Sequence, residues 1–408
     1  MTDITTGRRS LRRRRLPGIL LLVVALAGAA CSRSDDNADN ATADGAADDG
    51  GASGEPIRIG VPGAFSGPSG PLGEAVERGL ELKANEINEA GGLLDGRPIE
   101  LVYRDHEANP DKGITNMREL LEREQVVALV GETSSGVALA EAPIVNQAGI
   151  PWVITVSTGT LVTEQPDPNA VYRVSLVDKD QTEVALAAAT EQYDDIALLT
   201  DTSGYGQGGL TDLLAAMEEQ GIEPVANETY AVGDTDMTPQ VSSIQASGAD
   251  VIINWGLGPE AAQIRRAMDQ VGLNIPMIGS WGLSMPNYME LAGELAEGTF
   301  VVQAFSFDQD DPQVAEVRGA YEAEFGTDRV SFPNGVANSY DGLGLLAAAI
   351  EEAGSTDPEA ITEALGTVSY DGLIKDYQQP WADSREALGS DDMFLTVIEQ
   401  GDFVRVEG

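Results

Sequence analysis

The sequence predicts an α/β fold with two Rossmann-like lobes, each built on a parallel central sheet. Short apolar runs that read as strands alternate with longer segments of helical periodicity from residue 57 onward. Several of these runs end in polar or glycine-rich turns, as 126–130 does before 133–136. This alternation is typical of parallel sheets covered by helices on both faces. The chain has 408 residues, which leaves enough length after residue 55 for two separate cores.

Residues 1–30 have the composition of a signal peptide, with six arginines, an apolar stretch at 19–27 and small residues before Cys31. The apolar stretch is too short for a stable transmembrane helix. Residues 28–31, Gly-Ala-Ala-Cys, resemble a bacterial lipobox and therefore imply a lipid on Cys31; an incidental cysteine beside a simple cleavage site is the alternative. Residues 8–11 loosely resemble a twin-arginine signal, so both export routes stay open.

Residues 31–55 predict a disordered acidic linker, because they are rich in Asp, Asn, Ala and Gly and contain no large apolar side chain. The whole chain has a net charge of −43, and residues 1–30 contribute +5 of it (six Arg, one Asp), so the remainder is near −48. This acidity argues against nucleic acid as a partner and against electrostatic docking on anionic lipid. A single Cys excludes an internal disulfide, so burial must stabilise the fold.

Two polar turns, 133–136 and 157–160, each follow a predicted strand. The carboxyl ends of parallel strands meet at one edge, where open α/β sheets bind ligands. Serine and threonine hydroxyls, together with free N–H groups at a helix start, can form a cradle for an anion or a carboxylate. Ordinary helix capping accounts for the same residue types without a ligand, so the residues alone leave both interpretations open.

The segment GETSSGVALAEAPIVNQAGIPWVITVSTGTLVT, at 131–163, resembles the ligand-contact region of branched-chain amino acid-type (leucine/isoleucine/valine-binding protein-like) periplasmic substrate-binding proteins of ABC transporters. GDTDMTPQVSSIQASGADVIINWG, which begins at Gly233, is similar to the same family. The resemblance runs from residue 57 to the C-terminus and implies a type I periplasmic binding protein fold with a three-strand hinge. It also implies that Ser135, Ser157 and Thr158 contact the carboxylate of a ligand.

The resemblance divides the folded part into two lobes, neither of which is continuous in sequence. They are an N-terminal lobe of 56–176 plus 305–371 and a C-terminal lobe of 177–304 plus 372–408. Three crossovers, near 176–180, 301–305 and 371–374, would join the lobes as the hinge.

A glycine-rich loop follows the predicted strand at 196–200. Gly204, Gly206 and Gly209 have the G-x-G-x-x-G spacing of a dinucleotide-binding loop between a strand and a helix. The binding-protein family also has a Tyr-Gly-x-Gly loop here, with its aromatic ring facing the cleft. The resemblance therefore implies that Tyr205 contacts the ligand, and nucleotide binding is the alternative.

Trp281 departs from the family pattern. In amino acid-binding relatives this position is a glutamate that pairs with the ammonium group of the ligand. An indole replaces only part of that interaction, since a cation–π contact contributes about 0.5–2 kcal/mol. The departure favours amides, urea-like solutes and aromatic or aliphatic carboxylates as ligands that contact Trp281, although Trp281 as core filling is an alternative. Phe65 is predicted to contact the ligand from the first lobe.

The remaining residues with reactive or aromatic side chains are predicted mainly to have structural roles. His106, the one histidine, is not expected to be catalytic, because no triad surrounds it; it is predicted to lie in a surface loop, with contact to the ligand as the alternative. Trp255 either lines the cleft or packs under the helix that follows it. Asp234 and Asp236 lack the further acids of a calcium loop and are predicted to serve as turn and cap residues.

The sequence therefore predicts an extracytoplasmic solute-binding lipoprotein, anchored to the outer face of the cell membrane. It would bind a branched-chain amino acid or a related amide or carboxylate between two closing lobes and deliver it to the permease transmembrane subunits of an ABC importer. Catalytic residues, cofactors and metal ligands are not expected. Two other classes stay open: a sensory receptor of the same fold that signals to a membrane partner, and an exported enzyme that uses a nucleotide.

Overall fold

The structure, a computed structural model, describes residues 54–327, 329–330 and 332–406. The predicted signal peptide, Cys31 and all but the last two residues of the predicted linker lie outside these ranges. Within them, no helix combines the length and the apolar composition needed to span a membrane.

Short strands and longer helices alternate along most of the described chain. The strands are β1 (Ile57–Gly63), β2 (Ile99–Asp105), β3 (Ala128–Val130), β4 (Trp152–Ile154), β5 (Val171–Arg173), β6 (Ile196–Asp201), β7 (Ala226–Tyr230), β8 (Val251–Trp255), β9 (Met277–Gly279), β10 (Thr299–Gln303), β11 (Ser369–Asp371), β12 (Asp376–Gln378), β13 (Phe394–Glu399) and β14 (Asp402–Arg405). The α-helices are α1 (Gly70–Glu89), α2 (Pro110–Arg118), α3 (Ser135–Ala148), α4 (Asp178–Thr190), α5 (Gly204–Gln220), α6 (Thr238–Ser247), α7 (Gly258–Val271), α8 (Pro286–Ala292), α9 (Pro312–Phe325), α10 (Pro333–Ala353) and α11 (Pro358–Leu365).

The first sheet has the strand order β2-β1-β3-β4-β5, and its neighbouring strands all run parallel. β3, β4 and β5 are buried at every residue, as expected for parallel strands covered on both faces. α1 and α10 pack together with Val61 and Val153 in one core. Leu129 and Trp152 belong to a second core with residues of α2 and α3.

The second sheet has the order β14-β13-β10-β9-β8-β6-β7. It is parallel from β7 to β10, and β13 and β14 extend it as an antiparallel edge. β11 and β12 form a separate antiparallel pair. The predicted α/β fold with parallel central sheets is confirmed, and the antiparallel edge is an addition that the sequence analysis did not predict.

α3 positions the first polar turn, because the helix begins at Ser135 within that turn. The helix ends at Ala148, since Gly149 takes the left-handed conformation with φ +67° and Pro151 follows. Its start and its end both agree with the helical pattern in the sequence.

The predicted crossovers lie in different surroundings. The run at 301–305 begins inside β10, which pairs with β9 and β13 as a regular strand of the second sheet. The crossover at 371–374 is fastened by Asp341 of α10, whose carboxylate accepts the N–H groups of Leu373 at 2.7 Å and Ile374 at 3.0 Å. The division of the chain into two lobes and a hinge stays a prediction.

Candidate functional site

One cavity of about 370 Å³ lies where the carboxyl ends of strands from both sheets meet. Residues that follow β3 and β4 line it from the first sheet, and residues that follow β6 and β9 line it from the second. This is the edge at which open parallel sheets place their ligands. Five residues that were predicted to bind the ligand line this cavity: Ser135, Ser157, Thr158, Tyr205 and Trp281.

The hydroxyl groups on the first-sheet side form a small network. Ser135 Oγ accepts a hydrogen bond from Gly159 N at 3.1 Å and another from Ser157 Oγ at 3.3 Å. With both bonds accepted, the hydroxyl hydrogen of Ser135 remains for donation to a ligand. The three predicted cradle residues, Ser135, Ser157 and Thr158, are all buried, so an anion held there would be shielded from water.

Arg173 supports the second turn from within the protein. This arginine is fully buried, and its guanidinium donates to the carbonyl oxygens of Thr158 and Gly159, the latter at 2.8 Å. It also donates to Thr163 Oγ1 at 2.9 Å and pairs with the Glu386 carboxylate, 3.2 Å from Nε. Burial raises the pKa of Glu386, and the charge of Arg173 opposes that shift. The second turn is therefore fixed by a buried cation.

His106 corrects an expectation, because the predicted surface-loop residue is fully buried. Its Nε2 lies 3.0 Å and 2.9 Å from the two carboxylate oxygens of Glu132. The prediction was wrong because the partner lies 26 residues further along the chain, where no local pattern connects the two. Burial lowers the pKa of His106, but the charge and hydrogen bond of Glu132 outweigh it, so the pKa lies above its ordinary value.

The second-sheet side presents aromatic rings. Tyr205, in the first turn of α5, donates its hydroxyl to Ser280 Oγ at 2.6 Å. Burial raises the pKa of this phenol, which keeps it protonated as a donor. The Trp281 ring packs at 5.1 Å from the ring of Phe332, measured between centroids, and its backbone N donates to Gln181 Oε1 at 3.3 Å. Trp281 therefore fills the core and lines the cavity at once.

The charged side chain that lines the cavity is acidic. Among the described residues that line it, none is lysine, arginine or histidine, and Asp201 is the one acid. Asp178 lies next to the cradle, because its backbone N donates to Thr158 O at 2.8 Å. The Asp178 carboxyl is fully buried, its Oδ2 forms no hydrogen bond, and burial raises its pKa to about 7. An anion in the cavity would thus be held by hydroxyl and N–H dipoles instead of by a cation.

Contacts between the two sides surround the cavity. A Cβ placed on Gly204 of α5 would lie 2.7 Å from the Cα of Gly136 in α3, so the starts of these helices touch through bare backbone. Thr160 Oγ1 also donates to Asp212 Oδ2 at 2.7 Å, which links the second turn to α5. These contacts join the two sides next to the cavity.

The family described as periplasmic binding protein matches residues 56–402. The chain belongs to the periplasmic binding protein family. A Leu/Ile/Val-binding protein homolog 3 of Brucella melitensis is 27% identical to this binding protein over 327 residues, which cover 77% of this chain and 87% of that protein.

Solved structures agree with this membership. The crystal structure of a periplasmic binding protein type 1 from Bordetella pertussis Tohama I has a TM-score of 0.78 at 27% identity, covering 86% of this chain and 100% of that one. An ABC transporter solute-binding protein from R. palustris, in complex with 4-hydroxybenzoate, has a TM-score of 0.75 at 22% identity, covering 86% and 96%. The chain is therefore a type I periplasmic binding protein and not an enzyme, and family membership implies a location outside the cytoplasm.

The glycine-rich loop of this binding protein is explained by packing. A side chain at Gly206 would collide with the backbone of Asp201, and one at Gly209 with the indole of Trp255. Gly204 meets Gly136, as described above. Each glycine of the G-x-G-x-x-G spacing is thus required by a close approach within the protein. Trp255 is fully buried in this packing and is not among the described residues that line the cavity. It packs against α5, in a core with buried residues of α4 and α5 and none of α7, so it lies in neither of its two predicted places.

Phe65 is the predicted site residue that the structure sets apart. It packs edge-on against Tyr103, with ring centroids 5.3 Å apart, and it is not among the described residues that line the cavity. Its neighbour Ala64 donates its N–H to Thr133 Oγ1 at 2.9 Å, so the loop still touches the first turn. The binding role of Phe65 and of the five lining residues stays a prediction.

In the part of the chain that the structure describes, no group of three or more His, Cys, Asp or Glu side chains could hold a metal ion. The buried supports of the site, Glu132, Arg173 and Asp178, were missed by the sequence analysis. Whether a charged residue is buried depends on its tertiary contacts, and no short sequence motif around these residues indicates that they are buried.

Proposed function

We propose that this binding protein captures a small solute with a carboxylate or amide head and an apolar body, such as a branched-chain amino acid or an aromatic acid, for an ABC importer. The observation that carries the proposal is the cavity itself. On one side, Ser135 has a hydroxyl hydrogen to donate beside Ser157 and Thr158, and on the other stand the rings of Tyr205 and Trp281. A polar end opposite an apolar wall is suited to a solute of that shape.

The names of similar proteins support both kinds of solute. The Brucella relative is named a Leu/Ile/Val-binding protein homolog, and the R. palustris protein was crystallised with 4-hydroxybenzoate. For an amino acid, the ammonium group would need an acid, and Trp281 stands where amino acid-binding relatives have one. Asp201 is the acid that lines the cavity, but its Oδ1 already accepts the N–H of Ser203 at 2.7 Å. The indole of Trp281 in place of that acid therefore favours carboxylates without an amine over amino acids.

A thermal-shift screen of the mature protein without its linker tests this function. The panel would hold L-leucine, L-isoleucine, L-valine, acetamide, urea, benzoate, 4-hydroxybenzoate and 4-methyl-2-oxopentanoate. A ligand at 1,000 times its Kd adds about 4 kcal/mol to the free energy of unfolding, which raises the Tm visibly. We expect the acids without an amine to give the larger shifts. If leucine, isoleucine or valine gives the largest shift, the amine is accommodated and the preference is wrong; if no compound shifts the Tm, the proposed solute class fails.

The anchor and the transporter are separate parts of the same proposal. Lipid on Cys31 would tether the protein to the outer face of the membrane; a single acyl chain binds weakly, whereas the two acyl chains of a diacylglycerol give stable anchoring. Mass spectrometry of the N-terminal peptide should show diacylglycerol on Cys31, and Cys31→Ser should release the protein from the membrane fraction. Stimulation of ATP hydrolysis by the reconstituted permease, only with solute present, would separate an importer from a sensory receptor.

A further inference from the structure

Glu132 touches both turns of the cradle, although it lies between β3 and the first turn. Its Oε1 accepts the N–H groups of Thr133 and Ser134, each at 2.7 Å. Its backbone carbonyl accepts the N–H of Ser157 at 2.9 Å. One residue thus fixes the first turn through its side chain and the second turn through its main chain.

The conformation of Glu132 is itself constrained. Its φ is +97°, a left-handed value that a side chain other than glycine rarely adopts, and the residue is fully buried. Strained backbone of this kind persists where the surroundings hold it, and it is concentrated at ligand clamps. The hydrogen bonds to Thr133 and Ser134 are bonds that a glycine at this position could not form.

His106 holds the Glu132 carboxylate in place. The N–H of Ala108 donates to His106 Nδ1 at 3.1 Å, so in the neutral ring the proton lies on Nε2, which faces both oxygens of Glu132. Ala108 in turn lines the cavity. A chain of hydrogen bonds therefore runs from the cavity edge through His106 and Glu132 to the first turn.

The neighbouring charges are few and belong to separate elements. The charge of Asp105, in β2, raises the pKa of His106 together with that of Glu132, and Glu141 of α3 faces Glu132. Glu141 is fully buried and neither of its oxygens accepts a hydrogen bond. Burial, and then the charge of Glu132, raises the pKa of Glu141. It forms no hydrogen bond to either turn.

We propose that Glu132, held by His106, is the positioning residue of the binding cavity: it sets the two hydroxyl turns in the geometry that receives the ligand. Glu132 can position a ligand only if the cavity binds one, so this role rests on the function proposed above. It does not itself touch the ligand, because it is not among the described residues that line the cavity.

The first measurement needs no ligand. His106 is the one histidine of the chain, so its ring ¹⁵N signals in tag-free protein need no assignment. We expect the Nε2–H tautomer and a pKa above the ordinary 6.5 of histidine.

Hydrogen exchange of peptides that contain Thr133, Ser134 and Ser157 should be slow in the wild type and faster in Glu132→Ala. An unchanged His106 pKa in Glu132→Gln, together with wild-type exchange in Glu132→Ala, would overturn the positioning role even if no solute has been found.

The second measurement is the Kd for L-leucine and for 4-hydroxybenzoate. Glu132→Ala removes the acceptor for two N–H groups and should weaken binding of whichever probe the wild type binds by roughly tenfold or more. Glu132→Gln keeps an acceptor oxygen and should restore most of the loss. Glu132→Gly relieves the strained φ, so it should stay folded and still bind weakly. Glu297→Ala is the matched control, because the Glu297 carboxylate also accepts two backbone N–H groups, those of Gln400 and Gly401, but does not line the cavity; it should bind within about twofold of the wild type.

Two outcomes separate this role from the function itself. If the wild type binds a probe and Glu132→Ala and Glu132→Gly bind it equally well, Glu132 is not a positioning residue, whereas the proposed function stands. If the wild type binds neither probe, the preference for these solutes fails, and the exchange and NMR measurements alone decide whether Glu132 sets the two turns.

Discussion

The two sides of the cavity are held in place by different forces. The first-sheet side presents hydroxyl groups on two turns, and buried charged side chains, Glu132 and Arg173, fasten those turns through hydrogen bonds. The second-sheet side presents Tyr205 and Trp281, which are held by a serine hydroxyl and by the ring of Phe332.

This difference indicates how the two sides divide the task of recognition. Buried hydrogen bonds to charged groups are directional, so the first side fixes where the head group of a ligand lies. Aromatic packing is tolerant of shape, so the second side selects the apolar body by size and surface. Changes to the side chains of the first side should therefore weaken binding of every solute, whereas changes to the rings of the second should alter which solute is bound.

The largest effect is expected from Arg173→Met, which breaks the first side. Glu386 and the carbonyls of Thr158 and Gly159 would lose a buried partner, at a cost of roughly 3–5 kcal/mol in the free energy of unfolding. Urea unfolding followed by circular dichroism measures this. Arg329→Met, which removes an exposed ion pair with Glu290, is the control and should cost at most about 1 kcal/mol. Equal losses in the two variants would show that the buried arginine does not support the turn.

Ser135→Ala tests the hydroxyl cradle directly. It removes the hydroxyl that accepts from Gly159 N and Ser157 Oγ and that has a hydrogen left for the ligand. Loss of a hydrogen bond to a charged carboxylate should weaken binding by about 1.5–3 kcal/mol in isothermal titration calorimetry with 4-hydroxybenzoate. Ser243→Ala, at an exposed serine, is the control. Wild-type affinity in Ser135→Ala would remove Ser135 from the site.

Asp178→Asn tests the acid beside the cradle through its pH dependence. Burial raises the pKa of Asp178 to about 7, against about 3.9 in an unfolded chain. Between these values the folded protein binds a proton that the unfolded chain has released, so the contribution to stability is complete below about pH 4 and is lost as the pH rises through 7. The variant should be more stable than the wild type at pH 8 by about 2 kcal/mol.

Urea unfolding at pH 5 and pH 8 checks this prediction. The wild type should lose stability between the two pH values, and Asp178→Asn should lose less of it. A variant that keeps the full wild-type difference would mean that another group titrates in this range. Asp341, whose pKa burial also raises to about 7, would then be the next group to test.

The smallest effect is expected from Gly204→Ala, which separates the two sides. Its Cβ would lie 2.7 Å from the Cα of Gly136, so α3 and α5 could no longer touch. We expect roughly tenfold weaker binding in calorimetry, with the fold retained. Gly208→Ala, in the same helix with open space around the position, should bind normally and gain about 0.5–1 kcal/mol of stability. If both alanine variants bind alike, contact between these helices does not matter for binding.

Much of the fold and part of the site could be predicted from the sequence. The apolar runs at β3 and β4 and the serine and threonine turns after them are local patterns, and the edge rule for parallel sheets then brings Ser135 and Ser157 to one place. The antiparallel strands β13 and β14 were not predicted as part of the second sheet, because their neighbour β10 is about ninety residues earlier in the chain.

The sequence by itself determined the alternation of strands and helices, the helix ends such as Gly149, and the hydroxyl groups at the strand ends, because each follows from residues that are close together in the chain. Only the tertiary structure decided which charges are buried and with which partners. His106 meets Glu132 and Arg173 meets Glu386 only once the sheets have formed. Each pairing offsets the free-energy cost of burying a charge, and the two partners are too far apart in the chain for a local pattern to connect them.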